Sequence, residues 1–276
     1  MRMQAETEVV TGSVGATEAA FFQREGYYIA RGLFSRQEAQ DLAEHYMALH
    51  ARRALPNYTF VTPEEAQGDL LRLYPRIMHP HRFDPLSKSW LVDPRIAQAL
   101  RVLLDEEPVA TQSMLYFKPP GAKGQAFHQD NFYLRVQPKS CVAAWVALDR
   151  SDPENGGLQV CPRTHTCEVQ CPEQADLDVS FTRELVRPPQ GTTPIPVILE
   201  PGDTLFFNGS VVHGSTPNRS RERWRRSFIC HYAPESLEEI SKHYFPLLDM
   251  QGNEVHRNAA TGGGPCGTEA GVKGPH

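Results

Sequence analysis

No run of 18 or more apolar residues occurs anywhere in the 276-residue chain, which excludes a conventional membrane-spanning helix. Positive charge is also in short supply. Lys and Arg total 28 against 33 Asp and Glu, a formal net charge of -5. That balance argues against a protein that grips nucleic acid over a broad basic face. The six cysteines have no tight, regular spacing, so they do not outline a disulfide scaffold. The opening residues, MRMQAETEVVTGSVG, lack the apolar segment of a secretory signal. Internal repeats and low-complexity stretches are missing as well. The expectation is a reduced, cytoplasmic protein, monomeric or homodimeric, with neither nucleic acid nor membrane as partner.

What is present is a 40% hydrophobic content spread along most of the length, enough for one sizeable core. The expected organisation is a loose tail over residues 1–16, one domain over 17–257 and a Gly-rich tail over 258–276. Ser35 and Glu38 have the spacing of a capping box. A helix is expected from Arg36 to Ala51, with Ala39, Leu42, Ala43 and Tyr46 on one face. Tyr27 to Ala30 reads as a short strand and Ile96 to Leu104 as a helix. Residues 56–90, rich in Pro, His and Arg, show no clear period. Beyond Pro108 the pattern becomes strand-like over 109–117, 142–148, 197–199, 204–207 and 227–232. Turn signals at Pro201-Gly202-Asp203 and Asn208-Gly209 separate these runs. The expected class is mainly β with flanking α-helices, as an antiparallel sandwich or barrel.

The chemistry-bearing residues lie in this second part. His128 and Asp130 form an H-x-D pair, and on an extended strand residues two apart share a face. An imidazole and a carboxylate then converge, as two ligands of a 2-His-1-carboxylate metal site. Taken alone, the pair is more often surface polarity beside a turn. His213, at the end of a strand-like run, supplies a third candidate ligand. An Arg-rich segment, Arg219 to Arg226, then enters a strand. A guanidinium there suits a dicarboxylate that chelates iron at its other end.

These motifs resemble the phytanoyl-CoA dioxygenase family, which includes ectoine hydroxylase and bacterial small-molecule oxygenases. The likeness runs from Phe21 to Pro246. It rests on Gly26-Tyr27, Gly32 to Ser35, Tyr116 to Pro120, Phe127 to Asp130, Ala144 to Asp149, Glu154 to Leu158, Val160 to His165, Pro201 to Asp203 and His213 to Ser215. Arg163 departs from the family pattern, which usually has Gly there. The resemblance implies a double-stranded β-helix, or jelly roll, and an enzyme dependent on Fe(II), 2-oxoglutarate and O2. Its implied metal ligands are His128, Asp130 and His213. The cosubstrate clamp is Arg225, with Arg226 the alternative, and Met114, Tyr116, Lys118, Trp145 and Ser215 are cosubstrate-site residues. Met114, Tyr116 and Trp145 have a plain core reading too, and Ser215 a turn-capping one. Halogenating relatives lack the carboxylate, so Asp130 favours hydroxylation.

The implied partner is a small polar metabolite such as an amino acid, a phosphonate or a carboxylate. Gln112, Gln125, Asn131, Tyr133, Arg135 and the loop Phe181 to Arg187 are the candidate substrate groups. Arg72, Arg76, His79 and His81 are candidates for a lid. Rival readings are a zinc site from Cys161, His165, Cys167 and Cys171, a non-catalytic binding jelly roll, an oxygenase for a larger acyl or natural-product substrate, and a nucleic-acid oxygenase.

Overall fold

The computed structural model describes residues 14–56, 58–261 and 266. Most of both expected tails lies outside them. Helix α1 (Ala16–Glu25) leads into strand β1 (Tyr27–Ala30) and then α2 (Arg36–Ala51). The capping box forms as expected: Glu38 N–H donates to Ser35 Oγ at 3.1 Å, and Ser35 N–H donates to Glu38 Oε2 at 2.8 Å. Caps of this kind contribute about 1 kcal/mol. Ala39, Leu42, Ala43 and Tyr46 are buried, so the 3.6-residue period places the helix against the core. The 56–90 stretch resolves into short pieces, including strand β2 (Ile77–Met78) and helix α3 (Pro85–Leu91). Helix α4 (Pro94–Leu104) follows.

The remaining strands of the two larger sheets are β3 (Pro108–Tyr116), β4 (Gln125–His128), β5 (Val142–Ala147), β6 (Leu158–Val160), β7 (Ile195–Pro196), β8 (Thr204–Asn208), β9 (His213–Ser215), β10 (Ser227–Pro234), β11 (Leu247–Leu248) and β12 (Glu254–Val255). The major sheet runs β1-β8-β5-β10-β3-β11-β12, with β2 added to β3. The minor sheet runs β4-β9-β6-β7. Val197 to Leu199, expected as a strand, lies just beyond β7, and Leu199 only bridges Ser151. Asn258–Ala259 pairs in parallel with Glu239–Ile240, so regular structure continues into the region expected to be an irregular tail.

Alternation along the central strands separates two cores. Phe228, Cys230 and Tyr232 of β10 face outward with Leu115 of β3, and pack beneath the helices with Phe34, Tyr46 and Trp90. Ile229 of β10 and Met114 of β3 face inward, against Leu158 and Val160 of the minor sheet. Because side chains alternate along a strand, one strand serves both layers. The result is the expected jelly roll, with an interior between its sheets. Among the described residues no helix is long and apolar enough to cross a membrane.

Candidate active site

His128 ends β4 and lies directly opposite His213, the first residue of β9. Their ring centroids are 4.2 Å apart. Asp130 reaches the same point by a route the sequence did not suggest. The strand stops at His128, and Asp130 has helical angles, φ -61° and ψ -34°, at the head of the turn Asn131–Leu134. A helical turn, rather than strand alternation, aims its carboxylate. Gln129 holds the corner: its Nε2 donates to Ser210 O at 2.7 Å, and its Oε1 accepts from Gln170 N–H at 2.8 Å.

One ligand atom from each of His128, Asp130 and His213 lies within 4.8 Å of the others, and all three residues are buried. His128 Nδ1 is 2.8 Å from Ala126 O, and His213 Nδ1 is 3.0 Å from Val211 O. A carbonyl only accepts, so each Nδ1 carries the proton and each Nε2 presents a lone pair. Metal-binding imidazoles are oriented in this way. Asp130 Oδ1 lies 3.4 Å from His128 Nε2 and 3.6 Å from His213 Nε2. Its Oδ2 is 2.9 Å from His231 Nε2. Burial pushes the His213 pKa down to about 4, and His128 adds to that shift. Burial alone would raise Asp130, but the imidazoles around it, His213 and His231 first, outweigh it and hold the carboxyl well below its usual range. Two neutral imidazoles and an ionised carboxylate fit a divalent iron with positions left open.

The three residues border a partly open cavity. Met114, Tyr116, Trp145, Ser215, Arg225 and Ile229 line it, together with Gln125 and His231. Three arginines compete in the sequence for a place here, and their partners separate them. Arg226 makes a two-pronged pair with Asp149, at 2.8 and 2.7 Å. Arg223 pairs with Asp152 and Glu154. Arg225 alone of the three faces the cavity. It is 3% exposed, donates to Ser227 Oγ at 3.1 Å and lies 5.3 Å from the Trp145 ring centroid. Its Nε has no partner among the described residues. Burial pushes its pKa down to about 10, so it stays a cation at neutral pH. A buried guanidinium without a carboxylate is costly unless an anion completes it.

Residues 22–227 match the phytanoyl-CoA dioxygenase (PhyH) family. The chain belongs to this family. A phytanoyl-CoA dioxygenase of Arabidopsis thaliana is 24% identical over 266 residues, covering 80% of this chain and 89% of that protein. An ectoine dioxygenase of Sphingopyxis alaskensis is 30% identical over 226 residues, covering 74% and 71%. The structure of EctD from S. alaskensis with 2-oxoglutarate and 5-hydroxyectoine has a TM-score of 0.64 at 25% identity, covering 86% of this chain and 83% of that one. This family member is a non-haem iron, 2-oxoglutarate-dependent dioxygenase.

The oxygenase places its other sequence candidates unevenly. Lys118 does not line the cavity. It is buried, and its Nζ donates to Gly156 O, Thr216 O and Ser215 Oγ at 2.9, 2.6 and 3.0 Å. Burial, and then the Arg225 charge, hold its pKa well below the usual lysine value. Ser215 Oγ also accepts from Gln125 N–H at 3.2 Å, which leaves its own proton for a guest. Gln125 extends Nε2 to within 3.2 Å of His128 Nε2. Gln112 is fully buried opposite His231 on β10, off the cavity wall, and its carboxamide has no partner among the described residues. Asn131 bonds the Val136 backbone N–H at 3.0 Å and so braces its own turn. Arg135 ends that turn in a left-handed conformation, φ 58°. Tyr133 is buried with its ring 6.3 Å from that of His128.

His231 was missed. Its signal was available: alternation from Arg225 puts residues 227, 229 and 231 on the same inward face. The zinc reading fails on geometry. Among the described residues the His128, Asp130 and His213 group is the only cluster with metal-ligand spacing. Cys171 is joined to Cys266, with Cα atoms 5.4 Å apart, which also corrects the expectation of a wholly reduced chain.

Proposed function

We propose that the oxygenase hydroxylates a C–H bond of a small polar metabolite, an amino acid, phosphonate or other carboxylate. His128, Asp130 and His213 would hold Fe(II), and Arg225 would take the far carboxylate of 2-oxoglutarate, with Ser215 donating its hydroxyl proton beside it. The observation that carries this reading is one cavity lined both by three converging ligand atoms and by a buried arginine lacking an acidic partner.

Iron with 2-oxoglutarate and O2 supplies the oxidising power, converting the cosubstrate to succinate and CO2 as the substrate carbon gains oxygen. The protein's part is positioning. The Ala126 and Val211 carbonyls keep both imidazoles in the ligating tautomer. His231 restrains Asp130. Trp145 lies beneath the Arg225 guanidinium and holds it toward the cavity. Met114, Ile229, Leu158 and Phe207 form an apolar wall that keeps water away. A carboxylate at position 130 occupies the place that a halide would need, which supports hydroxylation.

The test is succinate release from anaerobically purified protein given Fe(II) and 2-oxoglutarate and then O2, with a panel of small polar metabolites. Turnover that requires His213 and rises with one panel member is expected. No turnover, together with no binding of Fe(II) or 2-oxoglutarate, would sink the reading.

A further inference from the structure

Arg76 lies outside the cosubstrate site, at the start of β2, and pairing of β2 with β3 (Ile77 with Leu115, Met78 with Met114) carries it alongside Tyr116. Its Nη1 donates to Tyr116 Oη at 3.0 Å. Its guanidinium carbon sits 5.7 Å from the centroids of both the Tyr116 and Phe181 rings. Phe181 is tied down in turn, its N–H donating to Gly124 O at 3.0 Å just before β4. No carboxylate lies within 4.0 Å of Arg76 among the described residues, whereas Arg31, Arg95, Arg101, Arg223 and Arg226 each have one. A guanidinium has five N–H donors, and the tyrosine occupies one of them. The phenols of Tyr133 and Tyr244 lie close enough to act on it electrostatically.

This group is linked to the metal-ligand cluster by a short chain of contacts. Tyr116 Oη is 3.5 Å from Gln125 Oε1, and Gln125 Nε2 is 3.2 Å from His128 Nε2. Tyr116, Gln125 and His128 also share one wall of the cavity. A half-buried cation braced by two rings, with donors unspent and joined through Tyr116 to the wall of the reaction cavity, is arranged to receive an anion in a planar, two-pronged fashion. Arg225 is the other such cation, at the cosubstrate end, so the two need not share one ligand.

We infer that Arg76 is the specificity-determining anchor for a carboxylate group of the substrate, which makes the substrate a compact carboxylic acid oxidised a few bonds from that group. This rests on the proposed oxygenase site. A neutral analogue would leave the Arg76 donors desolvated and unpaired, and sites built this way reject such analogues strongly. An acyl thioester has no free carboxylate at its acyl end and would not satisfy the anchor.

The experiment uses the full chain loaded anaerobically with Fe(II) and saturating 2-oxoglutarate, so that Arg225 is already occupied. Benzoate and its neutral isostere benzamide are then titrated calorimetrically. The expected result is a preference for benzoate of at least about tenfold, the size of one charge-assisted pair. Arg76→Gln abolishes that preference and Arg76→Lys restores part of it. Arg72→Gln, which removes an equal charge from an exposed position, leaves it intact. Equal binding of the two probes, no benzoate binding, or a preference that survives in Arg76→Gln overturns the inference. Calorimetric binding of 2-oxoglutarate to each variant shows that it is folded and loaded. Failure of the wild-type chain to bind 2-oxoglutarate at all would instead count against the oxygenase site on which the inference rests.

Discussion

His231 Nε2 lies 2.9 Å from Asp130 Oδ2, while Asp130 Oδ1 faces His128 and His213. The two oxygens of one carboxylate therefore have separate duties, and the imidazole of β10 enforces the division. Removing a partner of this kind costs about 10–100-fold in metal affinity. His231→Ala is expected to weaken Fe(II) binding by that factor in anaerobic calorimetry. An affinity equal to that of the wild type would show that the turn alone positions the carboxylate.

Arg225 and Arg226 are adjacent in the chain, but only Arg226 has an acid to pair with. Arg225→Gln is expected to raise the 2-oxoglutarate Kd by about 10–100-fold, the size of a lost charged hydrogen bond. Arg226→Gln should leave that Kd unchanged and lower the melting temperature modestly. Equal effects on 2-oxoglutarate binding would contradict the assignment.

Gly124 stands immediately before β4, where a Cβ would meet the Ser215 carbonyl oxygen at 2.2 Å. Backbone atoms cannot give way as a flexible side chain can, so Gly124→Ala must push β4 from β9. The cost expected of such overpacking is about 1–3 kcal/mol, readable as a shift of the denaturant midpoint. Because β4 and β9 each supply a histidine, Fe(II) affinity should fall with it. Retained stability with intact metal binding would mean that the two strands are less tightly coupled than their pairing indicates.

The Arg95 guanidinium, 2.9 Å from Glu38, together with the Ser35 backbone and hydroxyl, holds the Glu38 carboxyl down at about 2, although slight burial opposes the shift. A carboxylate whose folded pKa lies below its ordinary value of 4.5 contributes stability above that value. The contribution is lost as pH falls through 4.5 toward 2. Melting temperatures of wild type and Glu38→Gln should therefore differ at pH 6 and converge on acidification. The pair is substantially exposed, so the difference will be small and reduced by salt. A gap that widens in acid would refute the linkage.

Much of the protein was legible in local pattern. The capping box at Ser35 and Glu38, the apolar face of α2 and the β-branched and aromatic content of β3, β5 and β10 each reflect interactions between near neighbours, so each can be read from a short window. The motif around His128 and Asp130, with His213 and the Arg-rich run after it, carried the site and the family. Tertiary structure decided the remainder, because it turned on partners far apart in the chain. Asp130 is aimed by a turn whose corner is held by Ser210 O and Gln170 N–H. Arg225 was separated from Arg226 by Asp149, which lies 77 positions from Arg226. Lys118 was drawn off the cavity wall by Ser215, Gly156 and Thr216, and His231 was joined to Asp130 across 101 positions. A sequence specifies which groups can donate, accept or ligate. Strand register and loop closure alone decide which of them share a desolvated space, where an unmatched charge must find a partner or wait for a ligand.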